Sequence, residues 1–224
     1  MRVMPANNSK GIVHFWAGRY YHIGAIGHLY SPPGYQQPVP WLPYALDNGA
    51  FPCWQSGKQW DVDAFLVMCE KAARSGQPPL WCLVPDVVAD CDATLDRWHE
   101  WAPRIRREFG FPLAFAAQDG MTVKEVPGDA EVVFIGGGTE WKRQNIAAFC
   151  ATFGRVHVGR INTERWLWYC YDSGAESCDG TGWFRGNKQQ LRGLENYLAC
   201  LSGERSRVVQ TTFREYSRPA GAER

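Results

Sequence analysis

The chain has 224 residues, 45% of them hydrophobic and 21% charged, and its 24 Lys and Arg against 23 Asp and Glu leave a formal net charge of +1. That composition fits one globular domain with a sizeable core, and the near-neutral balance excludes a generally basic, nucleic-acid-coating surface while allowing a local basic groove. The first long apolar stretch, "GIVHFWAGRYYHIG", is interrupted by His, Arg and Gly, which argues against a signal peptide or membrane span and for a soluble, cytoplasmic protein with a single domain over residues 1–224.

In chain order, "GIVHFWAG" reads as a first strand. The prolines of "YSPPGYQQPVPWLPYALDNGAF" disfavour regular structure and predict a long loop leading to a short strand at Tyr44 to Leu46. "WDVDAFLVMCEKAARSG" carries apolar residues at helical spacing and stops at Gly76, ahead of prolines. "LWCLVPD" reads as a buried strand, and "CDATLDRWHEWAPRIRREFG" as a helix that its interior Pro103 is expected to kink or split. "PLAFAAQD" and "AEVVFIGGG" are further apolar runs, the second followed by the helix "TEWKRQNIAAFCATFG". A strand in "RVHVGRI", a helix in "NTERWLWYCYDSG", a short strand and turn in "AESCDGTG" and the amphipathic helix "NKQQLRGLENYLACLSG" complete the pattern.

About seven strands alternating with helices imply parallel βαβ units. Two α/β architectures fit: a compact TIM-like (β/α) barrel with irregular or missing elements, near the minimum size for one, or an open doubly wound sheet. In both, ligands gather at the carboxyl ends of the strands. Those ends read "LDNGAF", "LVPD", "AAQDG", "IGGG", "HVGR" and "CDGTG", each closing on a carboxylate, an amide, a glycine turn or a cation. Such endings in succession point to one rim serving a common site, which favours the barrel. The cysteines are dispersed, with no CxxC pair and no zinc-ligand spacing, so reduced thiols and no metal site are expected.

The ordered set "LDNGAF", "VPDVV", "FAAQDG", "FIGGG", "HVGRIN" and "SCDGTGW" resembles the queuine tRNA-ribosyltransferase (tRNA-guanine transglycosylase) superfamily. It looks most like the compact DNA-directed branch, the DpdA family of 7-deazaguanine DNA transglycosylases found in phages and bacteria. The likeness covers roughly residues 44 to 186. It implies a barrel enzyme that exchanges guanine in DNA for a 7-substituted 7-deazaguanine base through a covalent aspartyl-glycosyl intermediate. It further implies no cofactor and a cytoplasmic location, the host cytoplasm for a phage-encoded chain. The superfamily's tRNA-directed members carry a C-terminal Cys-rich zinc motif, and nothing after Cys200 matches it.

Carried over motif by motif, Asp47 matches the acid of the family's "DSGGF" segment, a general acid/base, with Asn48 and Ala50 in place of Ser and Gly; Asn48 and Gly49 join the substrate-binding set. Asp86 falls where the family recognises the incoming base, and Gln118 matches the glutamine of its "QGG" segment. Gly136 and Gly137 match backbone positions lining the base pocket, and Asp179 matches the nucleophile of "DCVLPTR". Arg160 stands with the substrate-binding residues, while Arg143, Arg185 and Lys188 are candidate phosphate contacts. Trp141, Trp166 and Trp183 are candidate supports for a base taken out of the stack. The chemistry is coherent: a glycosyl-carboxylate holds the sugar while one base leaves and another enters, and a carboxylate with an amide suits a guanine edge.

Plainer readings stand beside these. Asp47 and Asp179 each precede turn residues, and Asp172 is a rival carboxylate. Asp86 could cap the next helix, although Asp90 and Asp92 stand nearer to it. Gln118 could be a satisfied strand-end amide, Arg160 the partner of a barrel acid, and His14, His22 and His28 packing or surface residues. "GGGTEWK" also suits a phosphate cradle in a small-metabolite barrel enzyme, with Lys124 and Lys142 lying past the strands. An RNA-directed transglycosylase and a non-catalytic nucleic-acid-binding module fit the same residues.

Overall fold

The short apolar runs become eight strands: β1 (Arg2–Pro5), β2 (His28–Tyr30), β3 (Tyr44–Leu46), β4 (Cys82–Leu83), β5 (Leu113–Ala117), β6 (Val132–Ile135), β7 (Val156–Val158) and β8 (Ser177–Gly180). A computed structural model describes residues 1–6 and 9–207; residues 208–224 of the expected domain lie outside the described residues. The strands form one sheet in the order β1-β8-β7-β6-β5-β4-β3-β2, every pairing parallel. The remaining seam is closed by parallel bridges Val3–Ile26 and Ala6–Leu29, with Val3 N–H donating to Ala25 O at 2.8 Å. The result is a (β/α)-barrel of the TIM type, which removes the sheet edges that an open sheet would expose.

Helices α1 (Lys10–Arg19), α2 (Ala50–Gln55), α3 (Val62–Arg74), α4 (Cys91–Phe109), α5 (Thr139–Thr152), α6 (Glu164–Ser173) and α7 (Lys188–Leu201) alternate with the strands, except that α2 and α3 both lie between β3 and β4 and, among the described residues, no helix separates β2 from β3 or β5 from β6. Asp61 and Asp90 start α3 and α4 by accepting from the backbone N–H of Ala64 and Ala93 at 2.9 and 3.0 Å, as N-caps do. Asp90 therefore does the capping, and Asp86 is left for another role. The helix α4 runs through Pro103 as one element, so the chain is not split there, and its face of Trp98, Trp101, Ala102 and Ile105 is anchored in the core.

The reading of "GIVHFWAG" as a strand is overturned, since it lies in α1. Val13, Trp16, Ala17 and Tyr20 are buried at positions i, i+3, i+4 and i+7, a helical stripe hidden among the other aromatics. The first strand is instead the preceding "RVMP". Its four residues are too few to display a period, and β2 ("HLY") and the short α2 escaped for the same reason.

Strand alternation sorts the core into two layers. Outward residues such as Leu113, Phe115, Ala117, Val133 and Ile135 pack under the helices. Inward residues, among them Met4, Leu29, Ala45, Trp81, Leu83, Ala114 and Ala116, fill the barrel. The period of two then predicts what stands above them: Ala45 is followed inward by Asp47, Ala116 by Gln118, Phe134 by Gly136 and Ser177 by Asp179. No helix among the described residues is long and apolar enough to cross a membrane.

Candidate active site

At the carboxyl end of the barrel, above that apolar layer, lies a cavity of about 600 Å³ whose walls include Asp47, Asn48, Asp86, Gln118, Gly136, Gly137, Arg160, Asn162, Asp179 and Arg185. Its floor is the top of the inner core, Leu83, Ala116 and Phe134. A pocket at this end is where the loops of a parallel barrel can present side chains from several strands at once.

One wall comes from β3, β4 and β5. Asp86 accepts from Asn48 Nδ2 at 2.8 Å on one oxygen and from Gln118 Nε2 at 2.6 Å on the other. Burial pushes its carboxyl above the ordinary range, and the two amides pull it back. Asn48 also donates to Val84 O at 2.9 Å and accepts from Ala50 N–H at 2.8 Å. Both of its N–H groups are thus engaged within the protein, so Asn48 acts through Asp86. Gln118 Oε1 takes the N–H of Ala89 at 3.4 Å, which fixes the orientation of its amide.

Asp47 stands at the end of β3 with little support. Its Oδ1 accepts a long bond of 3.4 Å from Gly49 N–H, and the backbone of Asn48 adds a weaker contact. Its carboxyl is pushed up to about 7, first by burial and then by the charge of Asp179. Gly49 does not line the cavity; with φ of 77° it precedes α2, turning the chain from strand to helix where a side chain would be strained. The Asn-Gly pair therefore makes a strand-to-helix turn.

The opposite wall is built on β7 and β8. Asp179, 5% exposed, accepts from the backbone N–H of Arg160 at 3.1 Å on Oδ1 and lies 3.1 Å from His157 Nε2 on Oδ2. Arg160 holds a left-handed backbone, φ 60°, uncommon for a residue with a Cβ and often found where a site needs it. Its guanidinium does not pair with a barrel acid. It donates to the carbonyls of Gly136 and Gly137 and lies 4.5 Å from the ring centroid of Phe51, bracing the rim. Gly137 is explained by packing, since a Cβ there would run into the Trp141 indole.

The other expected nucleic-acid contacts divide. Arg185 is exposed on the cavity wall. Arg143 is held by Glu140 on its own helix, and neither it nor Lys188 lines the cavity. Trp183 is fully buried in the core and cannot stack on a base. The aromatic side chains on the cavity are Phe51, Trp54 and Phe134; Phe51 and Trp54 lie on α2, which the sequence did not reveal. Asp172 is paired with Arg207 and is not on the cavity wall.

Two features around α5 bear on the phosphate-cradle reading. Lys142 lies past β6, on α5, yet it is buried, donates to Gly159 O at 2.7 Å, and burial lowers its ammonium to about 8. At the "GGG" turn, Gly138 N–H at the start of α5 is already taken by the Asp119 carboxylate, at 2.7 and 2.9 Å. A phosphate cradled there would have to displace this acid. Among the described residues, no three His, Cys, Asp or Glu side chains come together as a metal-binding group.

Fold and site together define a parallel (β/α)-barrel with a carboxylate-rich cavity at the carboxyl ends of its strands. Among solved structures, the chain is similar to one described as "Native KDPGal structure", with a TM-score of 0.53 and 12% identity over 90% of this chain and 92% of that one. It is also similar to a cube-shaped, highly porous protein cage designed by fusing symmetric oligomeric domains, with a TM-score of 0.52 and 13% identity over 90% of this chain and 71% of that one. At these identities the likeness is one of fold. No family model and no curated protein matches the sequence.

Proposed function

We propose that the protein is a DNA guanine transglycosylase of the 7-deazaguanine type, exchanging guanine for a 7-substituted 7-deazaguanine without hydrolysing the strand's glycosidic bond. The observation that carries the reading is the convergence on one cavity of Asp47, Asp179 and the amide-clamped Asp86, three carboxylates in three different settings. The fold and cavity volume suit a small planar base together with its sugar.

In this reading, an oxygen of Asp179 attacks C1′ of the target nucleotide as the C1′–N9 bond breaks, through an oxocarbenium-like transition state. Asp47, titrating near 7, gives its proton to the departing guanine. The incoming base then loses its N9 proton to Asp47, attacks C1′ and releases Asp179, so protons and bonds balance over the cycle. Asp86 and Gln118 face the base: the carboxylate accepts from its N–H groups, and the oriented amide reads the neighbouring edge. Arg160 and Arg185 at the rim suit the flanking phosphates, and Phe51 and Trp54 offer apolar faces to a base leaving its stack.

The occupied Gly138 N–H argues against a phosphate cradle at the start of α5. The deciding experiment incubates the protein with guanine-containing DNA, or with tRNA in parallel, and candidate 7-deazaguanines, then digests the polymer and seeks the modified nucleoside by mass spectrometry. Incorporation into DNA supports the proposal, incorporation into tRNA alone reassigns the polymer, and none in either polymer refutes it.

A further inference from the structure

Asp179 is backed by a second layer of polar groups inside the barrel. Ser177, one inward position earlier on β8, and His157 on β7 are both buried, His157 with no exposure at all. His157 joins the other two: its Nδ1 lies 2.8 Å from Ser177 Oγ and its Nε2 lies 3.1 Å from Asp179 Oδ2. The imidazole is locked between rings, stacked on Phe134 at 4.9 Å and edge-on to Trp81 at 4.8 Å. Neither His157 nor Ser177 lines the cavity. A buried histidine satisfied on both nitrogens could be simple packing, but this one is aimed at a carboxylate that does face the cavity.

The two contacts choose where the imidazole carries its proton. An ionised carboxylate only accepts hydrogen bonds, so a neutral imidazole between these two partners donates from Nε2 to Asp179, and its Nδ1 accepts the proton of the Ser177 hydroxyl. The other tautomer would set a ring lone pair against a carboxylate lone pair. The second Asp179 oxygen is fixed by the Arg160 N–H, so one donor on each oxygen defines the plane of the carboxylate.

We propose that His157, oriented by Ser177, is a positioning residue that holds an N–H against Asp179 and sets the rotamer from which Asp179 acts. The assignment rests on the transglycosylase reading only for the identity of the atom attacked, a sugar C1′. His157 touches neither base nor sugar, so its loss should slow the chemical step without weakening binding.

The test compares two variants of the full chain. His157→Gln keeps an amide N–H near the position of Nε2, whereas His157→Phe keeps a ring between Trp81 and Phe134 but removes both nitrogens. With guanine-containing DNA, His157→Phe should lower kcat for adduct formation roughly 10- to 100-fold while KM changes less than about twofold, and His157→Gln should recover most of the loss. Equal losses in two variants with wild-type thermal unfolding, or no loss in either, overturn the assignment.

A second measurement decides the matter when the wild type forms no adduct, which sinks the functional reading alone, or when His157→Phe does not fold. Nitrogen-15 NMR of the His157 ring should show the Nε2–H tautomer, with an Nε2–H proton resonance that moves upfield in Asp179→Leu. An Nδ1–H tautomer, or an Nε2–H indifferent to Asp179→Leu, overturns the inference whatever the substrate.

Discussion

On one wall of the cavity, Asp86 has a side-chain amide on each of its oxygens; beside it at the end of β3, Asp47 has backbone contacts alone, a long one from Gly49 and a weaker one from Asn48. Both carboxyls are pushed up by burial, but only Asp86 is pulled back by strong donors, while Asp47 also feels the charge of Asp179. The difference teaches how one cavity can divide labour among acids. Hydrogen bonds turn a carboxylate into a fixed recognition surface, and their scarcity turns its neighbour into a group that exchanges protons near neutrality.

The sharpest way to break this comparison is to remove the acid on the opposite wall. Asp179→Asn should lower covalent adduct formation roughly 10³-fold or more, measured by denaturing gel with labelled DNA; an adduct at the wild-type rate rules out Asp179 as nucleophile. Next in size, Gln118→Ala takes one clamp from Asp86 and, in the proposed reading, one contact from the base. It should raise the KM for the free base roughly 10- to 100-fold, a charge-assisted hydrogen bond being lost. A KM within twofold of the wild type would show that Asp86 needs no clamp.

The pH dependence bears on Asp47 directly. If Asp47 donates the proton to departing guanine, single-turnover adduct formation should fall about tenfold per pH unit above about 7, where its carboxyl loses that proton. A profile flat to pH 9 removes it from that role. The same group links pH to stability. Folded, it keeps its proton up to about 7, whereas its ordinary value is 3.8; between those values the folded chain binds more protons than the unfolded one, so this group's contribution to stability declines as pH rises. Asp47→Asn should therefore raise thermal stability at pH 8 by about 1 to 2 kcal/mol, or a few degrees in Tm, with the gain vanishing near pH 4. Differential scanning calorimetry at both pH values checks it.

The smallest expected effect separates two arginines. Arg185→Ala, on the cavity wall, should weaken DNA binding about two- to fivefold and lower its salt dependence, whereas Arg143→Ala, held by Glu140 away from the cavity, should leave both unchanged. Fluorescence anisotropy across a salt series distinguishes them.

Much of this site was legible because strand ends carry recognisable punctuation. Asp47, Asp86, Gln118 and Asp179 each close an apolar run, and parallel alternation obliges such ends to share one face of the molecule. His157 was hidden in "RVHVGRI", since a histidine inside a strand has no sequence signature separating a core residue from one that faces Asp179. Asn48 was legible as a turn residue but not as the clamp on Asp86, because that bond crosses from the end of β3 to the loop after β4.

The sequence alone determined the alternation of strands and helices from Tyr44 onward and the polar strand ends, both of which depend on neighbours a few residues apart. Only the tertiary structure decided that the sheet closes between β1 and β2, that Asp119 occupies the start of α5, and that the charge of Asp179 reaches Asp47 across a shared cavity. Those outcomes depend on distances between groups far apart in the chain. Local propensity does not encode such distances; closure of the barrel sets them.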